Sequence, residues 1–250
     1  VNGRSPVVRA RKILPDANKS GAAERFENLS FSVRRENGAV IVEPRGPNGR
    51  QDWIDWSRPG QPEIAYEIEA PSTPAEIHLH SGSVMTSGWK SDLAISLQEG
   101  KIQVSDGEAA LRATILRGDV KIEKQKGPIE IESHAAKVSV SNGEGTVRVH
   151  NFAGDTVIAS GKGDVVLRTK AGFANLSKIV GGVDFDNGRG RIEATGIDGA
   201  VRGVNEDGNV SFQLANDADV LIETQDGGVS VKPPGGVGAL LKLSSEEGTI

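Results

Sequence analysis

The chain contains no cysteine, which excludes disulfides, thiolate nucleophiles and cysteine-ligated zinc together. Aromatic residues make up only 4% of it, too few for a globular core built on large rings. It also lacks a basic surplus: 29 Lys and Arg stand against 34 Asp and Glu, for a net charge of −5. No run of Lys or Arg exceeds two residues, so nucleic acid is not an expected partner. Nor does any stretch approach the roughly 20 consecutive apolar residues of a membrane helix, and no membrane span is expected in this chain. The sequence opens on Val1 without a signal-peptide pattern; the expectation is a processed or trimmed form whose export signal or anchor has been removed.

Glycine is plentiful, with 32 residues in 250, and it is periodic. From Gly82 to about Gln225 a glycine is followed two and four residues later by aliphatic side chains, and the pattern returns every nine residues. Examples are Gly118-Asp-Val120-Lys-Ile122, Gly127-Pro-Ile129-Glu-Ile131 and Gly145-Thr-Val147-Arg-Val149; Ala109 and Ala136 replace the glycine without breaking phase. Internal repetition of this kind is the mark of a solenoid. Within each unit apolar and polar residues alternate over about five positions, which is a strand with one face inward. The other four positions carry turn residues, as in Ser105-Asp-Gly-Glu, Ser141-Asn-Gly-Glu and Ala159-Ser-Gly-Lys, where Asn, Asp and Gly accept positive φ. The expected fold class is all-β, a parallel β-helix or solenoid, forming one domain over 1–250. Residues 1–81 read as irregular, decorated coils, 82–226 as regular repeats and 227–250 as irregular closing coils.

The number of strands per coil follows from the outward residues, because stacked coils bring equivalent positions to about 4.8 Å. Steps of eighteen along the fourth position give Arg112, Glu130, Arg148, Val166, Asp184 and Arg202; along the sixth they give Glu132, His150, Arg168 and Asp186. Opposite signs meet at most steps, whereas steps of twenty-seven would stack Lys121 on Arg148. Two strands per coil is therefore expected. One broad face is then charged, while the other stacks Gln103, Lys121, Ser139, Val157, Asn175, Glu193 and Ser211 in one column and Ser105, Ser141, Ser177 and Thr195 in the next, a small, flat and hydroxyl-rich surface. The charged sheet bearing Arg112, Glu130, Arg148, Arg168, Asp184, Asp186 and Arg202 is the expected binding face, with Trp53 and Trp56 as rim anchors. Outward polar residues also serve as plain solvated surface, so the assignment rests on the pattern rather than on polarity.

Before the repeat, 6–11, 29–33, 39–43 and 64–69 read as extended segments, Ser20 caps a short expected helix, and 45–61 is a loop carrying both tryptophans. After it, the period slips at Asp217, pauses at Pro233-Pro234-Gly-Gly, and resumes. The expectation is an edge at Ile250 that either continues or docks on another chain, an end-to-end or edge-strand contact at the C-terminal coil.

Tyr66-Glu-Ile-Glu-Ala-Pro71, then Ile77-His-Leu79-His-Ser-Gly-Ser-Val84, then serial Gly-x-Val-x-Val units together resemble the bacterial adhesin-domain family of repetitive β-helix proteins. The resemblance implies a right-handed parallel solenoid, export to the periplasm or cell surface, and no catalytic residues or cofactor. The expected function is a non-enzymatic, adhesin-like interaction or structural module of the cell envelope, with an envelope protein or a glycan as partner.

Chemistry has less support. No Gly-x-Ser-x-Gly elbow, phosphate loop or His-Glu-x-x-His motif occurs. His78 and His80, with Glu67 and Glu69 on a neighbouring strand, are the best metal candidate, but outward polar positions explain the same letters, and no metal is assigned. Nonapeptide calcium rolls need turn aspartates in one register, whereas Asp119, Asp155 and Asp164 directly follow the glycine here. The alternative function is a carbohydrate-active β-helix enzyme, a polysaccharide lyase or hydrolase, using carboxylates of the charged face. The repeats contain no insertion large enough to wall a groove for it.

Overall fold

A computed structural model describes residues 7–13, 27, 30–36, 39–45, 63–69, 74–235 and 241–247. Its parallel strands stack as a β-solenoid of about nine turns. Each coil takes eighteen residues, since Arg112 pairs with Glu130, Glu130 with Arg148, and Val166 with Asp184. The eighteen-residue coil expected from charge alternation is thus the observed one.

The two nonapeptides of a coil are not equivalent, which departs from the sequence expectation of a turn after every strand. In β5 (Ala75–Ser87), β6 (Leu93–Ser105), β7 (Leu111–Glu123) and β8 (Ile129–Ser141) both units belong to one strand of 13 residues. Gly82, Gly100 and Gly118 bend these strands with φ of 130–140°. A β-carbon on Gly118 would run into the carbonyl oxygen of Gly100 in the coil before it, so position 118 is glycine for two reasons, backbone angle and close approach; Ala136 follows it in the column without a positive φ. The opposite corner is a true turn. Asp106, Lys124, Asn142, Ser160 and Lys178 occupy it with φ of 53–57°, the left-handed region expected of Asp and Asn but reached by a serine and two lysines as well.

From residue 147 the bend opens and a coil becomes two strands. These are β9 (Val147–Ala153) and β10 (Thr156–Ala159), β11 (Val165–Ala171) and β12 (Phe173–Val180), β13 (Val183–Asn187) and β14 (Arg191–Asp198), β15 (Val201–Asn205) and β16 (Asn209–Leu214), β17 (Val220–Thr224) and β18 (Val229–Lys232). The last is β19 (Leu241–Ser245), paired with β17. The period slips earlier than Asp217: the register shifts between Thr195 and Ile197, where Leu214 pairs with Ile197. The left-handed corner position after Gly196, φ 68°, would fall on Leu214, and a leucine there costs about 1–2 kcal/mol. Leu214 instead turns inward, 3% exposed, and the coil lengthens to nineteen residues, Val201 to Val220.

The core is a narrow channel of aliphatic side chains from the inward columns, among them Ile102, Val120, Val138 and Ile158, all at or below 1% exposure. Its cross-section is kept constant by compensation. The coil with Phe185 has Ala194 opposite, and the next has Gly203 beneath Phe185 and Phe212 beside Ala194; the two rings stack with centroids 5.3 Å apart. A β-carbon on Gly203 would collide with the Phe185 ring.

At the N-terminal end β1 (Val7–Ile13) pairs antiparallel with β4 (Glu63–Glu69), which pairs parallel with β5. The hairpin of β2 (Ser30–Glu36) and β3 (Ala39–Arg45) sets Phe31 against the core. All four early segments are strands as expected. Trp53, Trp56 and nearly all of the expected helix lie outside the described residues.

Candidate interaction surface

The first strand of each coil projects three outward columns. Parallel pairing puts Arg112, Glu130, Arg148, Val166, Asp184 and Arg202 in one, and Thr114, Glu132, His150, Arg168 and Asp186 in the next. The sheet therefore brings together all seven non-aromatic residues expected at the face. It does so because their inward neighbours, such as Val147 and Val149 at 2% exposure, hold the alternation in phase.

The third column was not read from the sequence, where its residues fall among the turn positions. It contains Leu116, His134, Phe152 and Lys170. His134 stacks on Phe152 with centroids 4.9 Å apart and planes within 7°. Leu116 and Phe152 remain 46% and 48% exposed, an apolar edge beside a charged grid. The recurrence of 116, 134, 152 and 170 at the coil spacing was the available signal.

The charges are less spent on one another than strict alternation suggests. Arg112 donates from Nε (2.9 Å) and Nη2 (2.7 Å) to the same Glu130 oxygen. Among the described residues Arg148, Arg168, Asp184, Asp186 and Arg202 form no ion pair. For Arg148 the reason lies in the column, where Glu130 is taken by Arg112 and Val166 separates Arg148 from Asp184; Arg168 and Asp186, and Asp184 and Arg202, are register neighbours whose side chains do not meet. Lys170 reaches two coils onward, over Gly188, to Glu206 at 2.9 Å. The hydrogen bond from Lys170 to Glu206, and then their charge attraction, raise the ammonium pKa above 10.5. Glu130, Glu132, Arg148, His150, Val166 and Arg168 surround a shallow depression in the middle of this face. Coils of eighteen residues leave no loop beside it between 75 and 200.

Beneath the third column lies a buried polar ladder, also unread from the sequence: Asn151, Thr169, Asn187, Asn205 and Thr224, all at or below 5% exposure. Asn187 donates to the Asn205 side-chain oxygen (2.6 Å) and to the Gly190 carbonyl (2.8 Å), and Asn205 donates to Thr224 (3.0 Å) and the Gly208 carbonyl (2.6 Å). Amides in the interior satisfy the corner backbone as it leaves the sheet. The signal was a polar residue at 151, 169, 187 and 205.

The second face is less plain than its serines suggested. Lys121–Glu123 at 3.1 Å and an Arg191–Glu193 pair interrupt it. At the turn corner Lys90, Glu108, Lys126, Glu144 and Lys162 alternate in sign, with pairs at 3.5 Å (Lys90–Glu108) and 3.6 Å (Glu144–Lys162).

The metal candidate is corrected. The strand beside His78 places Ser96 there, and Glu67 pairs with Met85 in the other half of the coil; His78 meets Glu76, at 2.7 Å, on its own strand. Among the described residues no group of three or more His, Cys, Asp or Glu could hold a metal. Two of the three aspartates that directly follow glycine hold coils together: Asp155 accepts from the Phe173 amide (3.2 Å) and Asp164 from the Gly182 amide (2.8 Å).

No family model, curated protein or solved structure matches the chain. Among the described residues no helix is long and apolar enough to cross a membrane.

Proposed function

We propose that this protein is a non-enzymatic interaction module of the bacterial cell envelope, acting outside the cytoplasm in an adhesin-like or structural role, and that the three-column charged face is its recognition surface. One observation carries the reading: charges that form no ion pair among the described residues lie beside the stacked His134 and Phe152 on one regular face. Aromatic residues and arginine together are the composition enriched at binding surfaces. Solenoids use such extended faces for contacts, since each coil adds cells without altering the fold. The envelope assignment rests on the resemblance of the 66–84 segment and the serial repeats to adhesin domains.

The test is binding of cell-envelope protein and glycan fractions, with an Arg148→Glu, Arg168→Glu variant beside the parent. Saturable binding by the parent and its loss in the variant is the expected result. Equal binding by both would overturn the assignment of the face, and turnover of any glycan would overturn the non-enzymatic reading.

A further inference from the structure

We infer that the charged face is self-complementary and that its partner is a second copy of this chain, packed face to face about a two-fold axis that runs parallel to the strands between the Glu130 and Arg148 coils. This rests on the reading of that face as the recognition surface and names what it recognises.

A two-fold axis in that orientation keeps each column opposite itself and reverses the order of the coils. Glu130 of one copy then meets Arg148 of the other, Glu132 meets His150, and each contact occurs twice. His134 meets the partner copy's Phe152, so the exposed aromatic stack lies beside the two-fold axis and forms the apolar edge of the interface. Leu116 covers the stem of Lys170. Seven coils apart, Glu76 falls opposite Arg202. Between these points Ala94 and Ser96 face Asp184 and Asp186, so no like charges oppose each other.

Other arrangements fare worse. A two-fold along the solenoid axis sets Glu132, Arg168 and Asp186 each against its own copy. Shifting the strand-parallel axis by one coil toward Arg112 leaves Arg148 opposite Ala94 and Phe152 opposite Gln98, and shifting it by one coil toward Asp184 sets Glu130 against Asp184 and Glu132 against Asp186. Like-charge juxtaposition of this kind is what suppresses wrong pairings. Size also fits: eight coils at about 4.8 Å and six residues at about 3.3 Å span roughly 750 Å², close to the approximately 800 Å² per partner of a standard interface.

The experiment is sedimentation and native mass spectrometry of the full chain and two charge reversals. The parent is expected to double in mass with rising concentration. Glu130→Arg makes the centre all positive and Arg148→Glu makes it all negative, so each alone is expected to stay monomeric. Mixed, they are expected to form a one-to-one heterodimer, which also proves that both are folded. A monomeric parent at every concentration, dimeric single variants, or a mixture that stays monomeric would each overturn the proposal. A monomeric parent whose envelope-fraction binding still disappears in Arg148→Glu, Arg168→Glu would overturn the dimer and leave the recognition face standing; loss of both would remove both.

Discussion

Val147→Asp tests the inward assignment on which the whole face depends. Val147 is 2% exposed and sits between Ile129 and Val165 of the adjoining coils. Removing its side chain forfeits about 2 kcal/mol of burial. The carboxylate then has to be desolvated in an aliphatic column, adding several kcal/mol. The sum is about 4–6 kcal/mol, much of the 5–15 kcal/mol typical of a folded domain, and it falls in a middle coil, where both neighbouring interfaces are lost. Arg148→Ala, one residue along and pointing outward, should cost about 0.5 kcal/mol or less. A second signature separates charge from volume. Burial raises the folded-state pKa of the new carboxyl above its unfolded value near 3.9, so the penalty is smallest below about pH 4 and grows as pH rises. Val147→Ala should show a constant deficit instead. Urea unfolding at pH 4 and pH 7 measures all three. If Val147→Asp unfolds within about 1 kcal/mol of the parent at pH 7, or its deficit does not depend on pH, the inward column is wrong.

Three further outcomes are expected. Gly118→Val should prevent correct stacking, because φ of 130° and the Gly100 carbonyl both oppose a β-carbon; soluble yield and near-native circular dichroism check it, and a normally folded variant would refute the bend. Asn187→Ala should cost about 1–3 kcal/mol in urea unfolding, since it strips the Asn205 oxygen and the Gly190 carbonyl of a buried donor. Lys170 contributes stability that is present below pH 10.5 and fades as pH rises through its raised folded pKa; the difference in melting temperature between the parent and Lys170→Met should therefore shrink in alkaline buffer.

The fold was legible because its causes are local and repeated. Gly118, Val120 and Ile122 report a bend and two inward residues wherever the trio recurs, and Arg112, Glu130 and Arg148 report the coil length through their signs. What escaped was hidden by the unit chosen. A frame of nine treats both corners alike and files the residues at 116, 134 and 152, like those at 151, 187 and 205, under turns. Only pairing at eighteen shows that the first group continues an outward column and the second an inward one. The His78 candidate failed for a related reason. Strand adjacency was right, since β4 does pair with β5, but the register put Glu67 beside Met85, and periodicity within a strand carries no information on where a non-repeating strand docks.

Register in the regular coils does not require the outward charges. The glycine column, the aliphatic columns and the asparagine ladder already fix it, because a one-residue slip would turn Val147, Val149 and Asn151 to solvent together. Each exposed pair adds only about 0.2–1 kcal/mol to that, and most members of the charged columns form no pair at all. A face held for stability would be expected to pair its charges or replace them with small hydroxyl residues, as much of the opposite sheet does at Ser105, Ser139 and Ser141. The face bearing Arg148, Arg168, Asp184 and Asp186 instead holds exposed charges and a stacked aromatic pair on a scaffold that folds without them. That separation of the residues that fold the chain from those it displays is the strongest physical argument for contact as the purpose of this surface.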